Sequence, residues 1–327
     1  MSDVAAPGAA PGAVTTLSAT WRRVSIVTRR RVPPAMRRQA MFAFLCVVWG
    51  TTWLGMKVGI AVVPPGLFAG LRWTCAGLAL FAWQLSQGHR PFLPRRLILR
   101  MVIVSLLLIS FSQVIQLYGL RHITAGLAAV ISSALTPIAL LGFSAALGQE
   151  RFTLRQAVAI GVGVVGIFVL FGPKAFTGEL QLAEVAGAAG VVVATLLYSL
   201  GSVQIRPMMR SVPPVDMAWM TNLIGGGLLL VGALLFEPGA WAAMRFDWGA
   251  SAWIAWLYLL IPGSLLSTVI YFLLVRDWGA SRVGTYAFVS PVIAVVVGAI
   301  WFGEHVELAD VIGMGLMLGA AGIVLRR

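Results

Sequence analysis

The chain has 327 residues, of which 59% are hydrophobic and only 11% charged. A typical soluble domain is about 25% charged, so this much apolar sequence exceeds what a soluble core uses and points to a polytopic membrane protein. The formal net charge of +13 would suit a nucleic-acid binder, but its placement along the chain argues against one.

Residues 1–40 differ from the rest of the chain. The first thirteen are rich in Ala, Gly and Pro, and the stretch from Trp21 to Arg38 carries seven arginines. No apolar run of signal-peptide type lies there, so the segment reads as a disordered basic cytoplasmic arm near anionic headgroups. Apolar runs come next at 41–60, 66–86, 99–119, 123–147 and 155–172, and again at 184–205, 215–236, 251–274, 281–302 and 309–325. Each is near the ~20 residues of a membrane helix. The runs are continuous rather than alternating, which argues against barrel strands.

Ten spans put both termini on one side. With the N-terminus inside, nineteen Lys and Arg fall in inside segments and only Arg121, Lys174 and Arg245 outside. Basic residues collect in cytoplasmic loops, so both termini are expected in the cytoplasm of a bacterial cell, around a multi-pass inner-membrane protein. The charge then needs no nucleic acid.

The runs repeat. Leu120 to Glu150 and Leu274 to Glu304 align without a gap at an offset of 154 residues, with Thr136-Pro137 matched to Ser290-Pro291 and Glu150 to Glu304. Val63-Pro64-Pro65 is echoed by Val212-Pro213-Pro214 at an offset of 149, which pairs Arg72 with Thr221. Five spans per unit is odd, so the second unit must enter the membrane upside down, as in many secondary transporters. The predicted fold is all-α, ten transmembrane helices as two inverted five-helix repeats, 41–172 and 184–325.

Trp49-Gly50-Thr51-Thr52-Trp53 with Lys57, the Pro-Pro turn and Leu71-Arg72-Trp73 resemble the opening of an EamA domain. The Tyr118–Gly126 turn, Pro137 and Gly148-Gln149-Glu150 resemble its later part, and Gly279-Ala280-Ser281-Arg282, Pro291 and Phe302-Gly303-Glu304 its second copy. The resemblance covers about residues 41–325. It implies a member of the drug/metabolite transporter superfamily that exports a small metabolite, amino acid or drug. The long basic arm departs from it.

Candidate site residues are polar groups that lipid would exclude. Lys57 either snorkels to the headgroups or serves the cavity. Arg72 either bonds helix-end carbonyls or contacts an anion such as a substrate carboxylate. Gln113 and Gln116 share a helix face, and Asn222 is the only Asn in the chain. Ser267 and Tyr271, one turn apart, are candidates for the cavity wall. All of these also suit interhelical hydrogen bonding. Trp49, Trp53, Tyr198 and Tyr286 are aromatic candidates that could stack on a substrate, beside Thr52, with core packing as the alternative. A mid-helix Pro frees the carbonyl four residues earlier, so Pro137 and Pro291 are expected kinks that release the carbonyls of Ser133 and Ala287. Glu150 and Glu304 fall at opposite faces as helix-end residues, with Thr153-x-x-Gln156 as a capping box.

No catalytic constellation appears. His89, His122 and His305 are scattered, and Cys46 and Cys75 sit in apolar runs. No enzyme, cofactor or metal is expected. The expected partners are a small-molecule substrate and membrane lipids. A counter-ion or proton, and the choice between monomer and homodimer, stay open. An uptake permease and a non-transporting lipid-handling or scaffold protein remain alternative readings.

Overall fold

The computed structural model describes residues 34–89, 95–175, 181–302 and 308–325. By contacts Met1–Arg38 form one unit and Gln39–Arg327 the other. The basic arm before residue 34 and Glu304 lie outside the described residues.

Ten long helical bodies occur among the described residues: α1 (Pro34–Ile60), α2 (Pro65–Ser86), α3 (Arg95–His122), α4 (Ala125–Ala146), α5 (Leu154–Ala175), α6 (Leu182–Met208), α7 (Pro214–Phe236), α8 (Gly249–Trp278), α9 (Tyr286–Phe302) and α10 (Leu308–Leu325). Seven of them, all but α5, α9 and α10, are long and apolar enough to cross a membrane. Apolar stretches Leu154–Val169 in α5 and Val311–Val324 in α10 are shorter. The first helix starts at Pro34, inside the stretch read as arm, since a proline suits a first helical turn. The ninth starts at Tyr286 rather than 281, because Ala280–Val283 form a separate helical turn.

Local chemistry explains the starts and stops. Pro64-Pro65 and Pro213-Pro214 open α2 and α7, where the missing N–H costs nothing. Gly148, at φ +65°, turns the chain after α4. Thr153 and Gln156 form the expected box: Thr153 N donates to Gln156 Oε1 at 3.1 Å, and Gln156 N to Thr153 Oγ1 at 3.3 Å. Two helices carry a π-helical segment, Leu106–Phe111 in α3 and Leu259–Leu266 in α8. They sit at matching places in the two halves.

Helix neighbours also come in matching sets. α2 packs on α7, and α5 on α10. α3 and α4 both pack on α6. The counterpart contacts join α8 and α9 to α1: Trp49 Nε1 donates to Gly263 O at 3.4 Å, and Ser290 Oγ to Cys46 O at 3.0 Å. The α2–α7 seam is a backbone contact. A Cβ on Gly77 would lie 2.5 Å from Leu223 N, and one on Gly226 would lie 2.5 Å from Thr74 N. These two contacts are each other's copies at the 149-residue offset. Small residues allow this approach, which is how helices pack where lipid removes the hydrophobic drive. Outside, Leu54, Val165, Val231 and Ile254 are exposed, each more than half, an apolar surface that suits lipid.

Candidate functional site

Between the helices lies a cavity of about 130 Å³. From the first half α1 contributes Trp49, Thr52, Trp53 and Met56, α2 contributes Arg72 and Trp73, and α3 contributes Gln113 and Gln116. α4 adds Ser132, Ser133 and Thr136. The second half supplies Thr195 and Tyr198 from α6, Gly263 from the π segment of α8, and Tyr286, Ala287 and Ser290 from α9.

Arg72 is only 3% exposed. Its Nη2 donates to Gln113 Oε1 at 2.7 Å, and its guanidinium lies 4.9 Å from the centroid of the Trp73 ring. It bonds no helix-end carbonyl among the described residues. Trp73 Nε1 donates to the same Gln113 oxygen at 3.3 Å. Arg72 Nε is buried without a hydrogen-bond partner, and among the described residues no carboxylate pairs with this arginine. Lys57 behaves differently. Its Nζ donates to Leu120 O at 2.6 Å and Ile123 O at 2.8 Å, so it closes the end of α3. It does not line the cavity.

Other walls of the cavity are aromatic and carbonyl-bearing. Trp49 meets Tyr286 edge-on at 4.6 Å and Tyr198 at 6.5 Å between ring centroids. Pro137 and Pro291 both lie inside helices, α4 and α9. The residues whose carbonyls they free, Ser133 and Ala287, both line the cavity. Neither neighbouring hydroxyl reaches back to them: Thr136 Oγ1 donates to Ser132 O at 2.6 Å and Ser290 Oγ to Cys46 O.

Of the residues expected in the site, Trp49, Thr52, Arg72, Gln113, Gln116, Ser133, Tyr198 and Tyr286 meet at this cavity. Asn222, Ser267 and Tyr271 do not line it. Asn222 is fully buried with neither amide atom bonded. Ser267 Oγ donates to Pro262 O at 2.6 Å, within the π segment. Tyr271 stands behind the wall, its ring 5.2 Å from that of Trp49. At the repeat offsets Arg72, Trp73 and Gln113 correspond to Thr221, Asn222 and Ser267. The cavity therefore sits at the first copy of this trio and not at the second. Sequence reasoning misses Trp73 and Thr195 as lining residues. The signals were there, Trp73 beside Arg72 and Thr195 nearly one turn before Tyr198.

Glu150 and Glu237 stand away from the cavity. Glu150 bonds Ser281 Oγ and lies 3.6 Å from Arg206 Nη1. Glu237 accepts from Gly66 N at 3.0 Å, Leu67 N at 2.9 Å and the Tyr118 hydroxyl at 2.7 Å, and so caps α2. Trp241 is 70% exposed, whereas Trp248 is buried and stacks on Trp253.

Apolar helices of membrane length, enclosing a polar cavity walled by two halves with matching helix neighbours, define a membrane transport protein. A model of the EamA-like transporter family matches residues 38–172 and again residues 185–326. The chain belongs to that family, in the drug/metabolite transporter superfamily, and is a membrane transporter rather than an enzyme. That sets aside the reading as a non-transporting lipid-handling or scaffold protein. It is 27% identical over 286 residues to the uncharacterized inner membrane transporter YedA of Escherichia coli K12, covering 87% of this chain and 89% of YedA. It is 29% identical over 295 residues to the uncharacterized transporter YvbV of Bacillus subtilis, covering 89% and 92%. One solved crystal structure superposes with a TM-score of 0.72 at 20% identity, over 88% of this chain and 96% of that one, a likeness of fold.

Proposed function

We propose that the protein is a secondary transporter of the inner membrane that exports a small molecule by alternating access. In this reading all ten helices cross the membrane as two inverted five-helix repeats, with both termini in the cytoplasm. The halves rock about the α2–α7 and α5–α10 seams and open the cavity to one side at a time. Exchange or coupling to a counter-ion or proton drives the cycle. The observation that carries the reading is the cavity between the helices, walled by both halves and lined by Ser133 and Ala287, the residues four before the mid-helix prolines Pro137 and Pro291. Backbone freed by a helical proline is tolerated at membrane depth where it lines a cavity. The location is supported by the name of the YedA relative, and the cytoplasmic termini by the asymmetry of basic loops.

The test is sensitivity profiling of a deletion strain and an overexpressing strain across metabolites and drugs, with Arg72→Ala as the inactive control. Overexpression is expected to confer resistance to at least one compound and lower its level in the cell. A raised internal level would establish uptake instead. Unchanged profiles in both strains would count against small-molecule transport.

A further inference from the structure

The cavity has an uneven chemistry. Gln113 Oε1 is held between two donors, Arg72 Nη2 and Trp73 Nε1. Its Nε2 is left to donate, beside a guanidinium whose Nε has no partner. This end of the cavity therefore offers donors and one positive charge. Among the described residues no carboxylate cancels that charge, although Arg72 is almost wholly buried, at 3% exposure. An uncompensated buried cation is strongly unfavourable, and a bound anion would cancel it. Among the remaining walls, Trp49, Trp53, Met56 and Tyr286 suit a flat or apolar body, beside the hydroxyl residues Thr52, Ser133 and Thr195. A volume of about 130 Å³ approaches the ~150 Å³ of a cavity that holds benzene.

Building on the transport reading, we propose that the substrate is a small organic carboxylate. Its carboxylate is seated on Arg72 and Gln113, and its body lies against the ring of Trp49 and Tyr286. Guanidinium–carboxylate pairing is charge-assisted and directional, which an amide or an alcohol does not reproduce. An inorganic anion would leave the aromatic walls without contact. A carboxylate can come from a simple acid or from an amino acid. For the amino acid, the carbonyls freed by Pro137 and Pro291 would accept hydrogen bonds from the ammonium.

The test is equilibrium binding to the full chain in nanodiscs, read by tryptophan fluorescence, with benzoate, benzamide, benzylamine and L-phenylglycine. Benzoate or L-phenylglycine is expected to bind at least tenfold more tightly than benzamide and benzylamine, and whichever of the two is tighter identifies the source of the carboxylate. Gln113→Glu is the informative variant. It keeps both bonds to the position 113 oxygen and supplies Arg72 with an internal counter-ion. It should melt no lower than the parent and lose carboxylate binding at least tenfold. Equal binding of the acid, amide and amine would overturn the proposal, as would unchanged carboxylate binding by Gln113→Glu. The assay needs no flux: carboxylate binding in a protein that moves nothing across vesicles would sink the transport reading alone. Transport of other compounds with no carboxylate preference would sink this proposal alone.

Discussion

Single residues near the membrane faces do structural work that charge alone would not reveal. Lys57 holds two carbonyls at the end of α3, where helix-end groups lack intrahelical partners. Hydrogen bonds to a charged donor contribute about 1.5–3 kcal/mol. Lys57→Met should therefore destabilise the protein by about that amount and lower its melting temperature in detergent, while Lys57→Arg retains most of the stability. An unchanged melting temperature for Lys57→Met would show that the contact contributes nothing. At this scale the sequence told part of the story. Arg72 was visible because a cation in an apolar run is expensive wherever it points. Its partner was not, since Gln113 lies 41 residues away and only packing brings them together. Asn222 and Ser267 are polar groups in spans too, but their copies of the Trp73 and Gln113 positions lie away from the cavity, and periodicity cannot say which copy a cavity will favour.

At the level of the helices, hydrophobic runs and punctuation made the spans readable. Pro137 and Pro291 were readable as prolines inside spans, and α4 and α9 run through them as continuous helices. The π segment of α3 was unreadable, because winding one extra residue into a turn left no signature in its residue types, whereas Pro262 inside the π segment of α8 is a signal that the sequence does carry. The α2–α7 seam rests on glycine. Gly226→Leu drives a side chain into the backbone at Thr74, so the usual overpacking penalty of about 1–3 kcal/mol is a lower bound. We expect loss of monodisperse protein or a large fall in melting temperature. Gly227→Leu, one residue on, meets nothing within 4 Å and should be tolerated. If both variants behave alike, the close approach is not what sets the seam.

For the molecule as a whole, the proposed topology is open to direct measurement. Reporter fusions after Gly148 and Arg210 should read cytoplasmic, and one after Arg245 external. An external signal at Arg210 would overturn the ten-span arrangement. The seams carry a last consequence. In two of them a helix meets its own copy, α2 with α7 and α5 with α10, and the paired contacts at Gly77 and Gly226 are reciprocal. That is the geometry of a closed twofold dimer, in which one surface patch recognises itself. A single five-helix ancestor with these patches would have buried them only against a second molecule. Fusion of two such copies would fix their ratio at one to one and release them from identity. Once the halves no longer had to match, one could hold an arginine at the cavity and the other a threonine.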